Sequence, residues 1–222
     1  MIVTLDGPAG AGKSTAARAL AARLGWCYMD TGAMYRAVAL TALERGVPLD
    51  DAARVAELAE RLAIEFHDGR VLADGRDVSA AIRTATVTAA TRPVADAPPV
   101  REALKRVQRR MAAGLDVVTE GRDQGSEVFP GAEVKVFLTA SSDERARRRH
   151  AEEVAGGRDT SFDAVAREQR RRDEGDRSRP VGTLKPAADA VVLETDGLSR
   201  EQVVERLVAL VQSRLGAGGS GR

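Results

Sequence analysis

Ile2-Val3-Thr4-Leu5-Asp6-Gly7-Pro8-Ala9-Gly10-Ala11-Gly12-Lys13-Ser14-Thr15 lies at the start of the chain. Its first five residues are a short, largely apolar run that stops at a glycine. Residues 16–24 follow with Leu20 and Leu24 one helical turn apart, so the order read from the pattern is strand, loop, helix. Residues 7–14 satisfy G-x-x-x-x-G-K-[S/T] between that strand and that helix. This is the context in which glycines let successive backbone N–H groups converge on phosphate oxygens while the helix N-terminus adds positive potential. Lys13 is placed to reach the outer phosphates and Ser14 to hold magnesium. Gly7, Pro8, Ala9, Gly10, Ala11, Gly12, Lys13, Ser14 and Thr15 are therefore the expected contacts to a bound nucleotide's phosphates.

Working outward, short apolar runs at 26–29, 117–119, 134–138 and 190–193 read as four more strands, each followed by a helical segment. Strands alternating with helices imply a mostly parallel sheet covered on both faces, here an α/β P-loop NTPase fold with a five-stranded core. Ser141 with Glu144 and Ser199 with Gln202 have the spacing of capping boxes and mark two helix starts. Residues 64–78 break the alternation: Asp68-Gly69 and Asp74-Gly75 are hairpin dipeptides, so a small antiparallel insertion is expected. Residues 156–185 are rich in glycine, proline and arginine around one helical stretch, 162–172, and read as an arginine-rich mobile lid. The glycine-rich residues 216–222 read as a disordered tail. The length of 222 residues suits a single domain with insertions.

Composition narrows the class. Hydrophobic residues make up 43% and charged residues 30%, which suits a water-soluble globular chain. Of 34 basic residues only Lys13, Lys105, Lys135 and Lys185 are lysine. Arginine in excess fits bidentate phosphate recognition or simply solvated helix faces. A net charge of +1 gives no support for nucleic-acid binding. Cys27 stands alone, so no internal disulfide can form and a reducing compartment is expected. No stretch approaches the ~20 apolar residues of a membrane span, so a cytoplasmic protein is expected; it is expected to be a monomer.

A phosphate loop specifies a nucleotide and leaves the reaction open. A GTPase switch would carry Asn-Lys-x-Asp and Asp-x-x-Gly in the proper order, and neither arrangement is present. A phosphotransferase needs a second anion site and a closing element rich in arginine, and this chain has candidates for both. Asp30-Thr31-Gly32-Ala33-Met34-Tyr35-Arg36, Glu120-Gly121-Arg122-Asp123 and Arg172-Asp173-Glu174-Gly175-Asp176-Arg177-Ser178-Arg179, in that order behind the loop, closely resemble bacterial cytidylate kinases. The insertion resembles that family too, through Asp77-Val78-Ser79 and Ile82-Arg83-Thr84.

The resemblance implies transfer of the terminal phosphoryl group of ATP to CMP or dCMP, with Mg2+ bound along with ATP. It also implies an acceptor-binding region over 33–101 and a lid over 156–185. Thr31, Tyr35 and Arg36 would lie beside the acceptor, with Arg36 on its phosphate; Tyr35 among Ala33, Val38 and Leu40 also suits a core position. Arg101 and Asp123 match residues that read the cytosine edge, where a carboxylate and an arginine complement an amino donor beside acceptors. As alternatives, Arg101 reads as a helix-surface residue after Pro98-Pro99 and Asp123 as a backbone cap. Arg122 matches a phosphate-binding arginine, and Glu120 an acidic position in the same loop. Arg172, Asp176 and Arg179 match lid positions that close over the acceptor and the transferring phosphate. Lys13, Arg122, Arg172 and Arg179 form the expected catalytic set. Arg145 and Arg149 resemble donor-side arginines of the wider kinase group, although a run such as Arg147-Arg148-Arg149 also suits a solvated face.

The chain departs from the family pattern in three places: Gly175 stands where relatives carry a further lid arginine, Gln124-Gly125-Ser126 replaces a more apolar stretch, and the register of Thr91 relative to Arg101 is open by one residue. A kinase for UMP or another small acceptor, and an ATP-binding regulator, are the competing readings.

Overall fold

The opening run forms strand β1 (Ile2–Asp6), and the segment behind the glycine loop forms helix α1 (Lys13–Leu24) between left-handed Gly12 and Gly25. These assignments come from a computed structural model, which describes residues 1–67, 69–178 and 181–218. Strand β2 (Cys27–Asp30) runs straight into helix α2 (Thr31–Glu44), because the Asp30 carboxylate accepts from the Ala33 N–H at 2.8 Å and caps the first turn. Helix α3 (Ala52–Arg61) is capped in the same way by Asp51.

The insertion follows as strands β3 (Ile64–His67), β4 (Arg70–Ala73) and β5 (Arg76–Asp77), paired antiparallel in sequence order. Its second turn is the one the dipeptide predicts, with Asp74 at φ 48° and Gly75 at φ 75°. In the first turn Gly69 also has positive φ, while Asp68 lies outside the described residues. A 3₁₀ turn over Ala81–Arg83 leads to helix α4 (Ala85–Asp96), capped by Thr84, and helix α5 (Pro98–Ala112) starts on its two prolines.

Strand β6 (Val117–Gly121), a π-turn over Gln124–Val128, strand β7 (Val134–Thr139), helix α6 (Ser142–Ala155), helix α7 (Phe162–Ser178), strand β8 (Val191–Glu194) and helix α8 (Arg200–Gly218) complete the chain. The expected five-stranded parallel core is present, in the order β2-β6-β1-β7-β8, with β1 central. A parallel core of this order needs crossover helices, which explains the alternation in the sequence.

Three local expectations are revised. Helix α7 continues past 172 to Ser178, since Arg and Glu are good helix formers and one internal glycine costs it only ~1 kcal/mol. Helix α8 runs through Gly218, into the stretch expected to be a disordered tail; residues 219–222 lie outside the described residues. The Ser199–Gln202 capping box closes in both directions, at 2.8 and 3.2 Å. At Ser141 only the hydroxyl half forms, because Asp196 takes the Ser141 N–H and leaves the Glu144 carboxylate to Arg147 and Arg148.

The chain divides into two compact units, Met1–Tyr28 with Leu115–Arg222, and Met29–Gly114. The core of the first is built from Val3 and Leu5 of β1, Leu20 of α1, Val136 and Leu138 of β7, and Leu207 and Val211 of α8. The second buries Met34, Val38, Val55, Leu58, Ile82, Val94 and Leu104 among its own helices.

Candidate active site

Parallel register decides where the first unit can hold a ligand. Asp6 sits level with Gly121 on one side and Phe137 on the other, so the glycine loop and the 122–124 segment leave the sheet at the same carboxyl edge. Open α/β sheets bind nucleotides at that edge. Two glycines of the loop are irreplaceable on geometry. A Cβ on Gly7 would stand 2.0 Å from the Leu138 carbonyl oxygen, and one on Gly10, at φ 76°, would stand 2.7 Å from the Gln169 side-chain nitrogen.

Lys13 heads α1, is 5% exposed, and donates to the Pro8 carbonyl at 2.8 Å. Its ammonium is pulled down to about 7, first by burial and then by the Arg122 guanidinium, with Arg172 adding to the effect and Glu120 and Asp6 opposing it. Three cations thus share a site with two carboxylates, and a phosphate chain supplies the charge that would hold Lys13 protonated. The Ser14 hydroxyl donates to Glu120 Oε1 at 2.7 Å. Asp6 is buried at the end of β1, where its two oxygens accept from the Gln124 and Gly125 N–H groups at 2.8 and 2.7 Å. Burial raises it to about 6, with those two hydrogen bonds opposing the rise.

Arg122 is held by Asp176 of α7, with Nε donating to Oδ2 at 2.8 Å, and Asp176 is itself buried. The 172–178 part of the expected lid is therefore helix, with its aspartate spent at least partly on orienting Arg122. Arg172 lies on the exposed side of α7 and acts on Lys13 through its charge. Arg179 falls outside the described residues. The Asp123 carboxylate is buried, and the Asp123 carbonyl caps the π-turn through Glu127 and Val128.

The two donor-side candidates part company. Arg145 is buried, and its guanidinium reaches the Ala9 carbonyl at 3.0 Å and Asp173 at 2.6 Å. Arg149 is half exposed and pairs with Glu152 and Glu153 on its own helix. Arg148, read from sequence as part of a solvated run, is closer to the loop: its Nη1 would stand 3.9 Å from a Cβ on Gly12, and it is fixed by Glu144 and Thr195. Thr15 is exposed on the first turn of α1.

In the second unit Thr31, Tyr35 and Arg36 occupy the first turns of α2. Asp30 Oδ2 lies 3.5 Å from Arg36 Nη2, and Gly32 leaves the space that Arg36 fills, since a Cβ there would meet Arg36 Nη1 at 3.2 Å. Arg101 is no surface residue. It is 3% exposed, donates to the Ala95 carbonyl at 3.1 Å, and holds its guanidinium 5.6 Å from the Tyr35 ring centroid. That contact gives Tyr35 a task beyond filling the core: its ring face supports the Arg101 cation.

Among the described residues no group of three or more His, Cys, Asp or Glu side chains could hold a metal by itself. The donor set present, a serine hydroxyl hydrogen-bonded to a buried carboxylate, fits a magnesium ion that takes most of its ligands from phosphates and water.

Sequence reasoning missed Asp6, Asp30, Gln169 and Asp173. Asp30 had a signal, as an acidic residue directly before a helix start. Gln169 had none, because its partner Ala9 is 160 residues away.

The cytidylate kinase family profile matches residues 3–213. A cytidylate kinase of Rhodopirellula baltica is 49% identical over 96% of this chain and 93% of its own length. One of Citrifermentans bemidjiense is 46% identical over 100% of this chain and 97% of its own. Among solved structures, a gluconokinase from Sinorhizobium meliloti 1021 superposes with a TM-score of 0.51 at 17% identity, over 99% and 97% of the two chains, which is a likeness of fold alone.

Proposed function

The chain belongs to the cytidylate kinase family, and from that premise we propose that it transfers the terminal phosphoryl group of ATP to CMP or dCMP, giving ADP and CDP or dCDP. The observation that carries this reading on the molecule itself is Lys13, a buried ammonium at the head of α1 drawn down to about 7 beside Arg122 and Arg172. Such a site is incomplete without a polyanion.

Phosphoryl transfer asks little covalent chemistry of a protein, so positioning and charge neutralisation supply the rate. The loop amides and the α1 N-terminus bind the donor phosphates, and Lys13 neutralises the outer ones. Ser14 and Glu120 would hold magnesium, whose charge would offset that of the donor phosphates. Arg122, oriented by Asp176, and Arg172 with Arg179 stabilise charge on the transferring group. On the acceptor side Arg36, steadied by Asp30, takes the CMP phosphate, with Thr31 beside it. Arg101, backed by Tyr35, and Asp123 read the cytosine edge. Arg145 serves the donor side through the glycine loop, whereas Arg149 is spent on Glu152 and Glu153 of its own helix.

The functional regions we assign within one kinase chain are 33–101 for the acceptor and 156–185 for the lid, and we infer that the enzyme acts as a cytoplasmic monomer without nucleic-acid or membrane partners. Supporting this are the net charge of +1 and the lack of any helix long and apolar enough to cross a membrane among the described residues. The test is a phosphotransfer assay over CMP, dCMP and UMP. Turnover should be highest with the two cytidine nucleotides, and no transfer to either would refute the proposal.

A further inference from the structure

The glycine loop is shaped from outside by two helices far from it in sequence. Gln169 of α7 donates from Nε2 to the Ala9 carbonyl at 2.8 Å, and Arg145 of α6 donates to the same oxygen at 3.0 Å. Both side chains are buried, and Gln169 Oε1 has no partner, so the amide is oriented by this one bond. Asp173, one turn beyond Gln169 on α7, neutralises Arg145 at 2.6 Å. Helix α7 therefore carries one arm of a clamp and the counter-ion of the other.

We propose that Gln169 is a positioning residue that, with Arg145, locks the Ala9–Gly10 peptide in the orientation needed to bind the donor phosphates. In a trans peptide the C=O and the following N–H point to opposite sides. Fixing the Ala9 oxygen against α6 and α7 therefore turns the Gly10 N–H away from them, toward the concave side of the loop. Gly10, at φ 76°, has the freedom to let this peptide flip. A flipped peptide would present a carbonyl oxygen to the phosphates, and like partial charges repel. The clamp removes that state before ATP arrives. Gly10 also makes the clamp possible, because a Cβ there would stand 2.7 Å from Gln169 Nε2. Since Arg172 rides on the same helix as Gln169 and Asp173, docking of α7 shapes the loop and brings the Arg172 charge to Lys13 in one event. By linkage, ATP binding must strengthen that docking to the same degree.

This inference rests on the reading that the glycine loop binds ATP, and the test separates the two. Gln169→Leu, Gln169→Lys and Gln169→Glu are made in the full chain. ATP is titrated calorimetrically without acceptor, and KM is measured for ATP and for CMP. Losing one preorganised N–H contact to a charged phosphate should weaken ATP about tenfold in Gln169→Leu, with KM for CMP unchanged. Gln169→Glu should be worse, because its carboxylate faces a carbonyl. Gln169→Lys should stay within about threefold of wild type, because its ammonium can donate to Ala9 and pair with Asp173. If Gln169 merely packs α7, the order reverses: Leu is tolerated best, Lys and Glu are both poor, and ATP affinity falls only in step with melting temperature. That result would overturn the proposal. Lys13→Ala is titrated alongside. If it loses ATP affinity while the Gln169 series does not, the clamp is wrong; if it too binds ATP normally, the loop reading fails and the clamp fails with it.

Discussion

The donor side and the acceptor side of this enzyme are built by different means. In the unit formed by Met1–Tyr28 and Leu115–Arg222, the proposed phosphate contacts are mostly main chain: a contiguous loop whose glycines are fixed by close approach and whose Ala9 carbonyl is held by Gln169 and Arg145. In the unit Met29–Gly114, the candidate contacts are side chains, each held by another side chain or a carbonyl: Arg36 by Asp30, and Arg101 by Tyr35 and Ala95. Triphosphates look alike at their phosphates, so backbone recognition suffices there. Selecting one base demands side chains with fixed donors and acceptors.

The sharpest way to break this division is Lys13→Ala. Lys13 is the side chain that enters the loop's own phosphate site, and we expect kcat to fall by at least ~10²–10³-fold while circular dichroism stays at wild type. Its folded value of about 7 lies below the ordinary 10.5. The buried ammonium therefore opposes folding fully below pH 7, and that cost disappears as pH rises from 7 to 10.5. The variant should then melt no lower than wild type at pH 6, and appreciable retained turnover would remove Lys13 from the mechanism.

Next in size is Arg101→Met. A buried guanidinium that reads the base should, when lost, lower kcat/KM for CMP by ~10²-fold or more and leave poor acceptors such as UMP much less affected. Equal losses across acceptors would mean that Arg101 only holds α4 to α5.

The donor side also predicts a pH effect that the acceptor side lacks. Free Lys13 loses its proton near 7, and bound phosphates should restore it, so ATP binding takes up protons at pH 8. Affinity should fall by up to about tenfold per pH unit above 7, while KM for CMP follows only the phosphate's own ionisation. Calorimetry in buffers of different ionisation enthalpy measures the uptake, and no uptake would contradict the assignment.

The smallest effect is at Asp176. Releasing Arg122 from its buried partner should cost about tenfold in kcat with either acceptor. If Asp176 also accepts a ribose 2′-hydroxyl hydrogen bond, Asp176→Ala carries an added few-fold loss confined to CMP. We expect the CMP-to-dCMP ratio to narrow accordingly; an unchanged ratio leaves Asp176 with Arg122 alone.

The same division explains what the sequence could disclose. The glycine loop was legible because its residues are adjacent and its context is a single strand and helix, and the five core strands were legible because buried parallel strands are apolar runs, each found within two residues of its observed ends. The Asp74-Gly75 turn follows from local chemistry in the same way. The extension of α7 did not, because the arginine-rich segment reads equally as loop or helix until packing chooses. The ion pairs that aim Arg122 and Arg145 join residues 54 and 28 positions apart, and the Tyr35–Arg101 contact is more distant still in sequence. No periodicity links such residues; only the fold brings them together. Arg148 was hidden for a further reason, since a fixed and a solvated arginine look identical in the run Arg147-Arg148-Arg149.

The most direct test follows the label from ATP carrying radioactive phosphorus in its terminal phosphate, mixed with enzyme, magnesium and equal amounts of CMP, dCMP and UMP. Label should pass first into CDP and dCDP and vanish from both in Lys13→Ala. Label released as inorganic phosphate at the same rate with and without acceptor would contradict the account, and would leave a nucleotide-hydrolysing protein in place of a kinase.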